Sequence, residues 1–264
     1  MSCKTPGQEI TLIKENFNNR LLITCIKKET PLAGRRTKDT IFGDGRWYQN
    51  NIFFMKSQNN NVKKERVIVY VDGFNLYFGM VEAGLHHCKW LDLKILAKNL
   101  LKPHQKLQSI KYFTSRVSNN PKKQKRQTIY IEAIETIGIE IIYGQYQSAC
   151  VRCTKCGHCW NTFNEKMTDV NLATYLLVDA YKDKYDTAML ISGDSDLVPP
   201  ISAVNEKIPN KRVLVAFPPK RKNVAVAKVA KGNFVIGRRN LEKSQLPDKV
   251  EKSDGFILRK PEKW

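Results

Sequence analysis

Downstream of residue 65 the chain alternates between two hydrophobic rhythms, and this alternation predicts its architecture. Short apolar runs rich in valine, isoleucine and aromatic residues predict strands over 66–72, 110–114, 139–143, 187–191, 212–217 and 234–236. Between them, apolar residues spaced three or four apart predict helices over 75–83, 91–101, 170–181, 196–204 and 224–229. In the second of these helices Leu93, Leu96, Ala97 and Leu100 share one face. Pro121 is expected to open a longer helix that buries Ile129, Ala133, Ile134 and Ile137 and stops at Gly138. Pro199 and Pro200 are expected to interrupt the 196–204 helix early. Strands alternating with helices imply an α/β fold, a parallel sheet of about six strands with helices on both faces. The short spacings place all of it in one domain.

The flanks read differently. Residues 1–62 show no sustained period, and Ser57-Gln58-Asn59-Asn60-Asn61 has the composition of a linker. They are expected to form an N-terminal extension, dispensable or partly disordered, ahead of a domain at 63–245. From Leu241 to Trp264 the chain is polar with isolated apolar positions and is expected to wrap the surface, with 246–264 as the C-terminal tail. His86, His87 and Cys88 form a small group that reads as surface or packing chemistry.

Composition narrows the partners. With 264 residues, 42% of them hydrophobic, the chain can bury a substantial core. A formal net charge of +20 favours a polyanionic partner, and polyphosphate chains are the commonest match. No apolar run approaches the ~18 residues that span a bilayer, and the first residues lack a secretory pattern. A cytoplasmic location with no membrane partner is the expectation. In that compartment seven cysteines, four of them crowded together, read as metal-linked thiolates rather than disulfides.

Against this basic background, aspartates stand directly after two of the strand-like runs: Asp72 after 67–71, and Asp194 and Asp196 after 188–191. Residues just past the carboxyl ends of parallel strands line the ligand crevice of such sheets. Carboxylates placed there suit a hard cation such as Mg²⁺ or Mn²⁺ facing a phosphate chain, while Gly73 and Gly193 allow sharp turns. Asp169 stands near a helix start, where taken alone a carboxylate complementing the helix dipole explains it.

Four blocks carry a resemblance: Tyr70-Val71-Asp72-Gly73-Phe74-Asn75-Leu76-Tyr77, Glu165-Lys166-Met167-Thr168-Asp169-Val170-Asn171-Leu172-Ala173, Leu190-Ile191-Ser192-Gly193-Asp194-Ser195-Asp196-Leu197-Val198-Pro199 and Val215-Ala216-Phe217-Pro218-Pro219-Lys220. In this order, over roughly residues 66–245, they resemble the NYN domain of the LabA-like group, a branch of the PIN-like nuclease superfamily. The resemblance implies a Rossmann-like (PIN-like) sheet and a metal-dependent cleft with proposed RNA-cleaving activity. It makes Asp72, Asp169, Asp194 and Asp196 the metal-binding acids and Asn75 a cleft group that orients a ligand or phosphate. Ser192 or Ser195 would do similar work.

Cys150, Cys153, Cys156 and Cys159 recur at every third position with His158 between, inside a loop at 148–164. Two C-x2-C pairs can complete a tetrahedral Zn²⁺ site of structural kind. An iron–sulfur cluster is the alternative, although the ferredoxin run ends in a longer spacing and a proline that are absent here. Related NYN proteins carry one Cys-x-x-Cys-Gly in this loop, which maps to Cys153, Cys156 and Gly157.

Lys122, Lys123, Lys125 and Arg126 crowd the start of a predicted helix, where positive charge opposes the dipole and an anion would relieve it. Lys220 and Arg221, with Arg116, are the expected phosphate contacts. Phe74, Tyr77 and Phe78 are expected to pack their helix against the sheet, with base stacking by Tyr77 the alternative. The reading is a metal-dependent nuclease that hydrolyses single-stranded RNA, with DNA a possible substrate. The alternatives are a non-catalytic RNA-binding protein and a phosphatase or nucleotide hydrolase using the same acids. The sequence carries no signal for oligomeric state.

Overall fold

The computed structural model describes residues 10–17, 20–27, 64–117, 120–152 and 154–262. The chain divides into two units, 1–61 and 62–264. In the first, β1 (Ile10–Phe17) pairs antiparallel with β2 (Arg20–Lys27). The linker read at Ser57–Asn61, like the rest of 28–63, lies outside the described residues.

The second unit is built on β3 (Glu65–Asp72), whose residues from Val67 onward are all buried. Val67, Val69 and Val71 point into one apolar cluster, and Ile68 and Tyr70 into another. That is the period of two expected of a strand covered on both faces, and it explains the unbroken apolar run. After β3 come α1 (Gly73–Glu82), a 3-10 turn at His86–Cys88, α2 (Leu93–Leu100), β4 (Gln105–Thr114), α3 (Pro121–Thr136) and β5 (Glu140–Tyr143). A hairpin of β6 (Gln145–Arg152) and β7 (Cys159–Lys166) leads into α4 (Thr168–Tyr181). The chain continues through β8 (Thr187–Ile191), α5 (Val198–Lys207), β9 (Arg212–Phe217), α6 (Val224–Val229), β10 (Gly232–Val235) and α7 (Arg238–Lys243). A short hairpin, β11 (Lys249–Glu251) with β12 (Ile257–Arg259), follows.

The six-stranded sheet runs β10-β9-β8-β3-β4-β5, and every pairing in it is parallel. This is the α/β sheet that the alternation predicts, with α1, α2, α3 and α7 on one face and α4, α5 and α6 on the other. From β3 the chain moves outward through β4 and β5, then returns to add β8 on the opposite side of β3. Between β3 and β8 the winding direction therefore reverses, which opens a crevice beyond their carboxyl ends.

Local chemistry sets the helix ends. Asp72, Asp92, Asn120 and Asn223 cap α1, α2, α3 and α6 with side-chain oxygens that accept backbone N–H groups. Pro199 and Pro200 do not interrupt α5. They fall in its first turn, where backbone N–H groups have no intrahelical acceptor in any case.

The C-terminal segment also departs from expectation. Leu241, Leu246, Val250 and Leu258 are buried in the same cluster as Val67 and Trp90. Asp92 N–H donates to Ser244 O, Leu246 N–H to Trp90 O, and Trp90 Nε1 to Pro247 O at 2.8 Å. Isolated apolar residues in a polar tail here complete the core rather than coat the surface.

Candidate functional site

Three chain segments bring one carboxylate each to the crevice. Asp72 ends β3, Asp194 follows β8, and Asp169 stands in the first turn of α4. One oxygen from each lies within 4.8 Å of the others, the only such group of acids, histidines or cysteines among the described residues. Asp72 is buried, while Asp169 and Asp194 are half-buried.

A hydrogen-bond frame fixes the first and third acids. Ser192, fully buried, donates its hydroxyl to Asp72 Oδ2 at 2.8 Å and accepts the Asp194 N–H at 3.1 Å. Asn75 repeats this bridging: its N–H donates to Asp72 Oδ1 at 2.9 Å, and its Oδ1 accepts the Gly193 N–H at 3.0 Å. That leaves the Asn75 amide nitrogen to donate into the cleft that the residue lines.

Burial pushes the Asp72 carboxyl up to about 7, helped by Asp169 and Asp194 and opposed by the bonds from Asn75 and Ser192. A carboxylate so disfavoured is what a cation would relieve. Oxygen-only donors, clustered and partly desolvated, fit a hard divalent ion better than a soft one.

The cleft over the acids has a volume of about 270 Å³. Phe74, Phe78, Met167 and Arg221 complete its wall. Met167 holds φ at 75° and Lys220 at 62°, left-handed values that a side chain disfavours, so two segments bordering the cleft are held in costly backbone conformations. Arg221 pairs with Glu82, and its Nε is buried with no hydrogen-bond partner.

The other expected site residues fall elsewhere. Asp196 stands outside the three-acid group, exposed on the 3-10 turn at Ser195–Leu197, where its N–H donates to Asp194 Oδ1 at 3.0 Å. Ser195 is exposed on the same turn. Lys220 is exposed beside Arg221 and does not line the cleft. Arg116 lies beyond the carboxyl end of β4, 5.0 Å over the Tyr143 ring, and donates to Thr128 and to the Tyr143 hydroxyl. Lys122, Lys123, Lys125 and Arg126 occupy the start of α3, and the first three are exposed.

Phe74 and Phe78 do not pack α1 against the sheet. The helix buries Gly73, Leu76, Gly79 and Met80, and the two phenylalanines face the cleft instead. Nothing in the spacing separates the two readings, since the helix is apolar nearly all round.

In the hairpin, Cys159 stands opposite Arg152 and Cys150 opposite Asn161, so both flank its tip. Cys156 and Cys159 are exposed free thiols. Cys153 and the Cys150 side chain, the other half of the expected four-thiolate set, lie outside the described residues. Cys88 is buried in the core, and His87 faces Glu242 at 3.4 Å.

Residues 66–236 match the family profile of the NYN domain. The chain is 25% identical over 176 residues to 6-hydroxy-3-succinoylpyridine 3-monooxygenase HspA of Pseudomonas putida, an alignment covering 53% of this chain and 55% of that protein. The chain thus spans about half the length of that curated relative. A solved structure of a Vibrio parahaemolyticus protein of unknown function superposes with a TM-score of 0.47 at 21% identity, covering 66% of this chain and 94% of that one. No helix among the described residues is long and apolar enough to cross a membrane.

Proposed function

The chain belongs to the NYN domain family, within the PIN-like nuclease superfamily, and from that premise we propose that it is a metal-dependent endoribonuclease acting on single-stranded RNA. The observation that carries this reading is the meeting of Asp72, Asp169 and Asp194 at the switch point of a parallel sheet. Family membership alone would not fix a reaction, because one fold hosts many.

In this reading Asp72, Asp169 and Asp194 hold Mg²⁺ or Mn²⁺, and Asp196 acts from the rim. A cation bound there would neutralise phosphate charge and polarise the phosphoryl group toward attack by water. Ser192 and Asn75 keep the carboxylates in register, and the Asn75 amide donates to a non-bridging phosphate oxygen. The Arg221 guanidinium, which lines the cleft, stabilises charge on the same phosphate, and Lys220 holds the chain beyond it. Arg116 and the basic start of α3 extend the positive track along the carboxyl edge of the sheet. Cys150, Cys153, Cys156 and Cys159 bind a structural Zn²⁺ that stiffens the hairpin leading into Asp169. The proposed location is cytoplasmic.

The test incubates purified protein with labelled RNA, single-stranded DNA and free nucleotides, with Mn²⁺ or EDTA. Metal-dependent shortening of RNA, lost in Asp194→Asn, is the expected result. Intact but retarded RNA would make the chain a binding protein, and released inorganic phosphate would make it a phosphatase.

A further inference from the structure

The wall of the cleft carries an aromatic face that the acid chemistry does not use. Phe78 is 46% exposed, and Phe74 stacks beside it with ring centroids 6.3 Å apart and planes 23° from parallel. The two lie one helical turn apart on α1, whose first residue follows Asp72. Met167, 47% exposed and two residues ahead of Asp169, lines the same cleft.

This face is locked outward. A Cβ on Gly79 would come within 2.7 Å of Pro218 Cβ and 2.8 Å of Pro219 O, and one on Gly73 would come within 2.9 Å of Phe113 O. The helix thus touches backbone and proline through bare glycines, and no roll about its axis can bury Phe74 or Phe78 without bringing larger residues to those points. Exposed aromatic surface held this firmly beside a polar cleft marks a binding face.

Its occupant must be flat, apolar on its faces and tied to an anion that reaches the carboxylates and Arg221. We infer that Phe78, backed by Phe74 in the cleft that Met167 also lines, is a stacking subsite for an unpaired nucleobase adjoining the scissile phosphate. Tyr77 is not the platform, because the Lys89 ammonium lies 5.1 Å over its ring and it meets Phe78 edge-on. A net charge of +20 favours a nucleic acid over a protein ligand here. Stacking needs an unstacked base, so the subsite selects single strands over duplexes and tolerates any base, since every base has a π-face.

The inference rests on the nuclease reading for its phosphate, and the experiment separates the two. Equilibrium binding of the full chain is measured in EDTA, so that no cleavage is needed. The probes are a labelled single-stranded oligoribonucleotide, the same strand with abasic sites, and a duplex. Phe78→Ala and Phe78→Leu should lose about tenfold or more in affinity for the base-bearing strand and change little for the abasic one. Phe78→Trp, which restores a flat face, should retain binding. Equal losses on both strands, or no loss, would overturn the subsite while leaving the acid site standing. A wild-type chain that neither binds nor cleaves the strand would overturn both. A change in sedimentation with Phe78→Ala and none in binding would reassign the face to self-association.

Discussion

A methyl group added to Gly193 would overlap the backbone carbonyl oxygen of Arg221, closer than the 3.0 Å that real Cβ contacts respect. The loop after β8 that carries Asp194 thus rests directly on the loop after β9 that carries the cleft arginine. The requirement is steric, because the obstacle is backbone and cannot swing aside.

Gly193→Ala should therefore separate these loops. We expect a loss of about 1–3 kcal/mol in stability, measured by urea unfolding. Cation affinity should weaken too, since Asn75 loses its register with the Gly193 N–H. An alanine variant as stable and as tightly metal-binding as the parent would show that the loops can part freely.

The raised Asp72 carboxyl gives a pH signature. Its folded value of about 7 lies above the ordinary 3.8, so without metal the native state holds a proton that the unfolded chain has released. The contribution of this group is then largest at low pH and declines between about 4 and 7. A divalent cation needs the ionised form, so the rise in melting temperature on adding Mn²⁺ should be larger at pH 8 than at pH 5.5. Asp72→Asn should flatten the metal-free decline and abolish the Mn²⁺ increment. Differential scanning fluorimetry across this range reads both.

Asp179 on α4 supplies a third expectation, remote from the acids' chemistry. It is 1% exposed and accepts from Lys111 Nζ at 2.6 Å and from the Tyr70 hydroxyl at 2.8 Å, with Lys184 at 3.0 Å. Removing the carboxylate leaves the buried Tyr70 hydroxyl without its acceptor and the buried Lys111 ammonium with only Glu140 at 3.8 Å and the Tyr175 ring to offset its charge. Asp179→Ala should cost about 3–5 kcal/mol, and the double variant with Lys111→Met should recover much of it. Denaturant melts of both variants check this.

These cases show what a sequence exposes. Asp72 and Asp194 were legible because Asp72 ends an apolar run and Asp194 follows one within three residues, where a parallel sheet opens its crevice. The same pattern also pointed to Asp196, which lies outside the three-acid group. Asp169 was not legible from its surroundings, since an acid in a first helical turn is ordinary; only the resemblance singled it out. The buried Lys111–Asp179 pair left no trace, because pairing across 68 residues is set by packing. Leu246, Val250 and Leu258 looked incidental in a polar stretch, and their burial comes from packing against distant parts of the chain, such as Trp90 for Leu246 and α3 for the β11–β12 hairpin, that no local period encodes. The outward aromatic face of α1 was hidden for a related reason. Which side of an apolar helix meets the sheet is decided by the glycines at its contact points.

The most direct measurement is anomalous diffraction from crystals soaked in Mn²⁺. One strong peak within ~2.0–2.3 Å of carboxylate oxygens from Asp72, Asp169 and Asp194 is predicted, and it should vanish in Asp194→Asn. No peak at these residues under saturating Mn²⁺, or an ion held elsewhere with the three carboxylates untouched, would contradict the account.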